Sequence, residues 1–473
     1  MKLFSLRLMT LKSKLYAIVF ASFVLRIVAF FLLPDSQSYA PDERTYASAV
    51  DWMLRNNPLR AFSDYGQSLF LQSRPLLYPA AFIGEFGVNP VDSVRALSSL
   101  YGFLSLYLLV KILLNFYQNT PQKLTSKIPL LVLIYALIPS HFLWSILGLR
   151  ESATEFYCLL SFYALKKFSE EEKIKAKLLY FVTMNFSVAV LFTVRRPVGL
   201  VFAAALFIYF VFLSNSMSKF LLLMSLVVSS FVGYSATADF WKSGNYIFEA
   251  HSINDSSNEN KSKATTEDER VASYICLSPG DIVTYHSMKF ICKPVSDRLK
   301  LTNRINPVRV IGGQVSSIQS NHKANQVGAA SVIRTISCPI EVNNQIESMF
   351  CIGWRSPYTT FTFLFRPIVF IDSTSKASLF AGVENLFWLL MALYISIMTI
   401  RNRKLNLAKP MYAALFYLIL YVTFGGAYEG NMGTGFRHKS LILWVVILLL
   451  ASTIVASQQR KAEREGISGP LKE

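Results

Sequence analysis

Hydrophobic residues along this chain of 473 residues fall into long blocks instead of alternating with polar residues. The first block, 15–33, contains one charged residue, Arg26, and is about as long as the roughly 20 residues that cross about 30 Å of hydrocarbon. Blocks of this kind predict ten membrane-spanning helices, at 15–33, 95–116, 128–148, 152–168, 178–194, 197–214, 219–236, 378–400, 410–427 and 441–457. The pattern therefore indicates an all-α polytopic membrane protein.

A basic stretch, 1–14, precedes the first block, and a secretory signal peptide also begins in this way. The apolar run is longer than the roughly 7–15 residues of a signal-peptide core. We therefore expect this segment to remain as the first span, and not to be cleaved after Ala40.

The charged residues are few and unevenly placed. They make up 16% of the chain, against about 25% in a typical soluble domain, and they sum to a net charge of +18. Lysine and arginine gather at every second connection between predicted spans, as the positive-inside rule expects of cytoplasmic loops. Both termini are therefore predicted to be cytoplasmic. We expect the membrane to be a bacterial inner membrane. The net charge gives no reason to expect nucleic acid as a partner.

Two long polar stretches lie on the opposite, outer face. The first, 34–94, contains two predicted short helices, at 42–55 and 76–86. The second, 237–377, contains β-like runs such as 282–285 and is predicted to form a small extracytoplasmic domain of mixed or β-rich structure. These boundaries divide the chain into an N-terminal transmembrane module, 1–236, the outer domain, 237–377, and the C-terminal spans with a cytoplasmic tail, 378–473.

Four of the five cysteines lie in that outer domain, at Cys276, Cys292, Cys338 and Cys351. An even number confined to an extracytoplasmic domain predicts two disulfides. We expect local pairs, 276–292 and 338–351, although spacing alone leaves the connectivity open. The fifth, Cys158, falls inside a span and is predicted to be a packing residue.

Several charged residues sit on the outer side, where the topology does not require them. They come from four separate connections and share one depth: Asp42 and Glu43; Arg150 and Glu151; Arg195 and Arg196; and Arg437, His438 and Lys439. Each could be an ordinary interfacial residue whose charge reaches water. Three basic groups around one acidic pair instead predict a bound anion, such as the phosphate or pyrophosphate of a lipid headgroup, because guanidinium groups bind phosphate with paired hydrogen bonds.

Asp42 follows a proline at the predicted start of a short helix, which admits two compatible roles. It can cap the helix, or it can act as a general base that takes a proton from an attacking hydroxyl. Five scattered histidines give no metal-ligand spacing, and no nucleotide-binding loop is present. We expect no cofactor and no resident metal, with a divalent metal left open.

The first outer loop resembles that of a known enzyme superfamily. It opens with Asp42-Glu43 and Tyr46, and continues with RPLLYP, which contains Arg74 and Tyr78. This order of motifs resembles that in GT-C membrane glycosyltransferases of the protein-mannosyltransferase and aminoarabinose-transferase type, which are similar to glycosyltransferase family 39. Those enzymes often have proline where Arg74 stands.

The segment GTGFRHK before the last predicted span also resembles bacterial members of that superfamily. The resemblance covers about the first 200 and the last 110 residues and implies an outer-face active site that uses a polyprenyl-phosphate sugar. By match to the motif, Asp42 would be the catalytic base. The assignment of the arginines to the phosphate comes from the topology and not from the motif.

Our leading hypothesis is a glycosyltransferase that moves a sugar from a polyprenyl-phosphate lipid to a glycan, lipid or protein acceptor on the outer face. The residues expected to act are Asp42 and Glu43 in catalysis; Arg150, Arg195, Arg196, Arg437, His438 and Lys439 at the phosphate; and Tyr46, Arg74, Tyr78 and Glu151 in the donor or acceptor pocket. A polymerase or ligase of pyrophosphate-linked glycans would use the same arginines. A lipid-linked sugar transporter would instead use charges inside the spans, of which the main ones are Arg26, Lys111, Glu155 and Glu384.

Overall fold

A computed structural model describes most of the helical part of the chain and three short strands. The described residues are 10–33, 41–56, 73–117, 120–213, 216–235, 248–252, 282–285, 288–294, 345–369, 371–372, 376–402, 407–428 and 432–464.

Ten helices precede the strands along the described chain. They are α1 (Leu11–Leu32), α2 (Pro41–Asn56), α3 (Arg74–Gly84), α4 (Pro90–Tyr117), α5 (Gln122–Thr125), α6 (Ile128–Leu137), α7 (Pro139–Ile146), α8 (Glu151–Glu170), α9 (Ile174–Leu213) and α10 (Ser216–Ser235). Four more follow the strands: α11 (Gln345–Phe365), α12 (Lys376–Asn402), α13 (Lys409–Tyr428) and α14 (Met432–Arg464).

The predicted spans fall on these helices, with 128–148 divided between α6 and α7 and with 178–194 and 197–214 both on α9. The predicted short helices of the first outer loop are confirmed as α2 and α3. Within the described residues, five helices are long and apolar enough to cross a membrane, and a sixth span arises if α6 and α7 count as one broken by a 50° bend. The protein is thus an integral membrane protein, while the count of ten spans stays a prediction.

Proline explains two interruptions in the helices. Ile138 is extended before Pro139, as expected of a residue that precedes proline, and this break separates α6 from α7. Within α9 the backbone leaves the helical region at Arg195, two residues before Pro197. The sequence predicted a turn between two helices at this place, and the non-helical Arg195 agrees with that prediction.

The core lies where α4, α8, α9, α13 and α14 pack together, with the rings of Phe162, Tyr417 and Trp444 in contact at its centre. Along α1 and α12, in contrast, large apolar side chains such as Phe31 and Ile400 are exposed. An apolar surface of this kind is what a lipid bilayer covers.

The outer domain is described only in part. Strands β1 (Phe248–Ser252), β2 (Ile282–Tyr285) and β3 (Met288–Pro294) form an antiparallel sheet in the order β1-β3-β2, so the predicted run 282–285 is a strand. Cys276 and Cys338 lie outside the described residues, and only the backbones of Cys292 and Cys351 are placed, so both disulfides stay predictions. In the last part of the predicted domain, the residues Gln345–Phe365 form the helix α11. This helix packs against α13.

Replacing Gly426 with alanine should separate these two helices and lower the midpoint of thermal unfolding. A Cβ atom at Gly426 would lie 2.7 Å from the carbonyl carbon of Thr359, a backbone atom that cannot turn aside. Overpacking of this type costs about 1–3 kcal/mol. Ile419→Ala, at an exposed position of the same helix, is the control. Equal unfolding midpoints in the two variants would refute the close approach.

Candidate active site

The two acidic residues at the start of α2 point in different directions. Both lie in the first turn, where the positive end of the helix dipole stabilises a carboxylate. Neighbouring residues on a helix are about 100° apart, so only one of the two can face the core. Glu43 is fully buried, whereas the side chain of Asp42 is 42% exposed. Asp42 is therefore the carboxylate that a substrate can reach.

Glu43 ties α2 to two other segments. Its Oε1 lies 2.6 Å from Nε of Arg95 on α4, and the backbone N–H of Gly148 donates to the same oxygen over 3.2 Å. The ion pair is shielded from water on both sides. Glu43 thus fixes the position of Asp42 relative to the connection between α7 and α8, whereas the sequence analysis expected Glu43 to act in catalysis.

Asp42 meets a residue from the other end of the chain. Its Oδ2 lies 2.7 Å from Nη1 of Arg437, in the first turns of α14. Nε of the same arginine lies 3.0 Å from Oε1 of Glu151, the first residue of α8. Arg437 therefore bridges the candidate base and a buried carboxylate.

Glu151 is the centre of this cluster. Its Oε1 accepts a hydrogen bond of 2.8 Å from Nη1 of Arg195, whose side chain also bonds to the ring of His438. Burial raises the pKa of Glu151. The positive charges of the surrounding guanidinium groups, of which Arg437 has the largest effect, outweigh burial and lower that pKa to about 2. The carboxylate is thus ionised, and its buried Oε2 has no hydrogen-bond partner.

Arg150 lies beside the cluster without being neutralised by it. Its positive charge acts on Glu151 and on Tyr46, which is buried one turn after Asp42. Burial raises the pKa of Tyr46, so its phenol is a neutral hydrogen-bond donor. Among the described residues Arg150 has no acidic partner within ion-pair distance, and its buried Nε has no acceptor. Arg150 is therefore a cation left available to an anionic ligand.

The remaining predicted residues make other contacts. Arg74 and Tyr78 stand one turn apart at the start of α3 and interact electrostatically, and Arg196 is half-buried next to Arg195. Lys439 turns away from Arg437 and His438. Its amino group donates to the carbonyl oxygens of Leu364 and Arg366 at 3.1 and 3.3 Å and also to Asn385. The structure thus places Lys439 in a different contact from the phosphate site predicted for it.

Sequence reasoning missed Arg95, although a signal was present. Arg95 is an arginine at the outer end of a predicted span, which the positive-inside rule disfavours. Sequence reasoning named Glu155 as a charge inside a span but did not find its partners. In the structure Glu155 accepts from Tyr135 over 2.8 Å and lies 2.9 Å from His141.

One cavity among the described residues is apolar. It measures about 370 Å³ and is lined by residues of α11, α12, α13 and α14, including Trp388 and Val422. Val422 follows Tyr421, whose hydroxyl donates to the backbone carbonyl of His438 over 3.2 Å. One lining residue is therefore adjacent in the chain to a residue that contacts the cluster.

The fold and the cluster together define a multi-pass membrane protein in which carboxylate side chains and guanidinium groups are gathered in one cluster. No protein-family profile matches the chain, and no curated protein does either. Among solved structures, three chains are similar to it, two of an oligosaccharyltransferase and one of ArnT.

Two of these structures are of the oligosaccharyltransferase of Archaeoglobus fulgidus. The AglB complex with an inhibitory peptide and a dolichol-phosphate has 11% identity and a TM-score of 0.40, and the apo form has 13% identity and a TM-score of 0.42. Each match covers 97% of this chain and 52% of the archaeal chain, so this chain spans about half the length of the oligosaccharyltransferase. The third is apo ArnT from Cupriavidus metallidurans, with 11% identity, a TM-score of 0.37, and 94% and 78% of the two chains covered.

Proposed function

We propose that the protein is a membrane glycosyltransferase that moves a sugar from a polyprenyl-phosphate lipid to a glycan, lipid or protein acceptor. The observation that carries this proposal is a cluster in which a reachable carboxylate, Asp42, pairs with Arg437, while Arg437, Arg195 and Arg150 surround Glu151. A general base next to an anion-binding site is what glycosyl transfer from a phosphate requires. We place the reaction on the outer face of a bacterial inner membrane, with both termini in the cytoplasm.

In the proposed reaction, an acceptor hydroxyl oxygen forms a bond with the anomeric carbon, and the bond from that carbon to the phosphate oxygen breaks. Asp42 takes the hydroxyl proton, and the electron pair of the broken bond leaves with the lipid phosphate. Arg150 and Arg437 stabilise the charge that grows on the phosphate, an effect worth about 3–4 kcal/mol for a single well-placed donor. No cofactor takes part.

The described contacts also suggest roles for neighbouring features. The unpartnered Oε2 of Glu151 can accept a hydrogen bond from a sugar hydroxyl. The apolar cavity beside Tyr421 offers a surface for the isoprenoid chain of the donor. Arg196, Arg74 and Tyr78 stay assigned to the donor or acceptor pocket as predictions.

Two alternatives differ in what they require. A pyrophosphate-linked glycan would need more positive charge than a phosphodiester, because the pyrophosphate carries an additional negative charge. A transporter would need charges along a path through the spans. Glu155 and Glu384, however, are held by protein donors, which are Tyr135 for the first and Ser140 for the second.

The direct test uses purified protein and labelled donors that differ only in the link to the sugar. Polyprenyl-monophosphate sugars should be turned over, with label appearing on an acceptor or in water. Turnover of only a pyrophosphate-linked oligosaccharide would favour the polymerase or ligase. Movement of intact labelled lipid between leaflets, without loss of its sugar, would favour the transporter.

Replacing Arg150 with methionine should raise the KM for donor at least about tenfold and leave the unfolding midpoint unchanged. A charge-assisted hydrogen bond to phosphate contributes about 1.5–3 kcal/mol, which is at least the free energy of a tenfold change in affinity. Among the described residues Arg150 forms no ion pair, so its replacement should not change stability. Arg150→Lys should recover part of the loss. Arg401→Met, at an exposed site near the C-terminal end of α12, is the control. An unchanged KM would remove Arg150 from the site.

A further inference from the structure

Two adjacent residues of α12, Glu384 and Asn385, are buried within an apolar span without belonging to the cluster around Glu151. They are 3% and 2% exposed. Successive side chains on a helix diverge by about 100°, so the two residues face different neighbours. A buried polar group inside hydrocarbon is costly unless it is fully bonded, and both are bonded to protein.

Glu384 caps the start of α7. Its Oε2 accepts from the backbone N–H of Ser140 over 2.7 Å, and its Oε1 accepts from the hydroxyl of Ser140 over 2.5 Å and from the indole of Trp388 over 3.2 Å. The first N–H groups of a helix lack partners within it, and α7 begins at the break after α6, with no water to serve them. The carboxylate of Glu384 therefore fixes where α7 starts.

The position of α7 determines one wall of the site. The connection after α7 carries Gly148, whose N–H bonds to Glu43, and then Arg150 and Glu151. Only the residues 147–150 separate the end of α7 from the start of α8. A rotation of α7 would consequently move Arg150 and Glu151.

Asn385 connects α12 to the other wall. Its amide nitrogen donates to the carbonyl of Pro367 over 2.8 Å, and its oxygen accepts from the amino group of Lys439. Lys439 also donates to the carbonyl of Leu364, at the end of α11, and to that of Arg366, just after it. These contacts fix the first turns of α14, which carry Arg437.

We infer that Glu384 and Asn385 are positioning residues that hold the two walls of the candidate active site in register, an inference that rests on the proposed function. One wall supplies Glu151 and the other supplies Arg437, and the two meet over 3.0 Å. A displacement of about 1 Å in such a contact can cost about 10²-fold in rate. Neither residue touches substrate, so each acts through the groups it holds.

The test compares Glu384→Gln with Glu384→Ala. Glutamine keeps an oxygen acceptor for the N–H of Ser140, whereas alanine keeps none. We expect kcat to fall at least about tenfold in the alanine variant and to recover to within about threefold of wild type with glutamine, while the KM for acceptor stays constant. Leu386→Ala, a lipid-exposed neighbour on α12, is the matched control and should behave as wild type.

Three results would overturn the inference. They are a folded Glu384→Ala protein with the kcat of wild type, equal losses for alanine and glutamine, and a loss explained by a lower folded fraction alone. Asn385→Leu, which removes the acceptor for Lys439, should repeat the fall in kcat independently of α7.

A binding measurement separates this inference from the proposed function. A polyprenyl monophosphate without sugar should bind at least about tenfold more weakly to Glu384→Ala than to wild type, with Glu384→Gln near wild type. If wild type transfers no sugar from any donor, the proposed function fails. In that case the affinities of wild type, Glu384→Ala and Glu384→Gln for the polyprenyl monophosphate decide the positioning role on their own. Equal affinities in all three proteins would refute it.

Discussion

Asp42→Asn should lower turnover by about 10²–10⁴-fold, the usual contribution of a general base, while the protein folds normally. Asparagine has nearly the same shape as aspartate but cannot accept a proton at neutral pH. The side chain of Asp42 is 42% exposed, and its partner Arg437 remains paired with Glu151 in the variant. The loss of the charge of Asp42 should therefore cost little stability. Initial rates with a labelled polyprenyl-monophosphate sugar, beside unfolding midpoints, measure both effects.

The same helix provides a matched control for this experiment. Asp51 is also on α2, its side chain is 43% exposed, and it pairs with an arginine, Arg55, over 2.9 Å. Asp51→Asn should therefore have the turnover of wild type. If Asp42→Asn kept more than a tenth of the wild-type turnover, the base would have to be another group, and Asp42 would be a residue that holds Arg437.

Arg95→Met should lower the free energy of unfolding by about 3–5 kcal/mol, because it leaves the buried carboxylate of Glu43 without its cation. Arg95 and Glu43 are both inaccessible to water, and the distance between them is 2.6 Å. The backbone N–H of Gly148 also donates to that carboxylate. Unfolding in detergent, followed by temperature or denaturant, gives the difference.

Two further variants separate the ion pair from the packing. Arg55→Met removes an arginine from an exposed pair on α2 and should cost about 0.5 kcal/mol or less. Glu43→Leu combined with Arg95→Met should cost less than the sum of the single changes, because removing both charges avoids an unpaired one. Strict additivity of the two changes would mean that the pair contributes no coupling.

The arginines of the candidate site could be predicted from the sequence because they depart from the charge pattern of the other loops. Arg195 and Arg437 lie in connections predicted to be on the outer face, where arginine is disfavoured, and they join Asp42 and Glu151 in one cluster. Helix positions could likewise be predicted, since apolar blocks of this length leave few alternatives in a bilayer.

The direction in which each side chain points could not be predicted. Asp42 and Glu43 are equivalent in the sequence, and only the packing of α2 on α4 turns one to the core and leaves the other reachable. Arg437, His438 and Lys439 are consecutive, but the helix turns Lys439 toward the end of α11. The capping of α7 by Glu384 also depends on a contact between distant segments, for which the sequence has no local signal.

The pairing of Asp42 with Arg437 has a consequence for how the protein is made. Chains emerge from the ribosome N-terminus first, so α2 with its carboxylates and α8 with Glu151 are synthesised well before α14. Until α14 inserts, the growing chain lacks both the guanidinium group that bridges these carboxylates and the helix that contributes Trp444 to the centre of the core. Completion of the packing and completion of the site are therefore the same event, so a partly synthesised chain has neither the full core nor the full cluster.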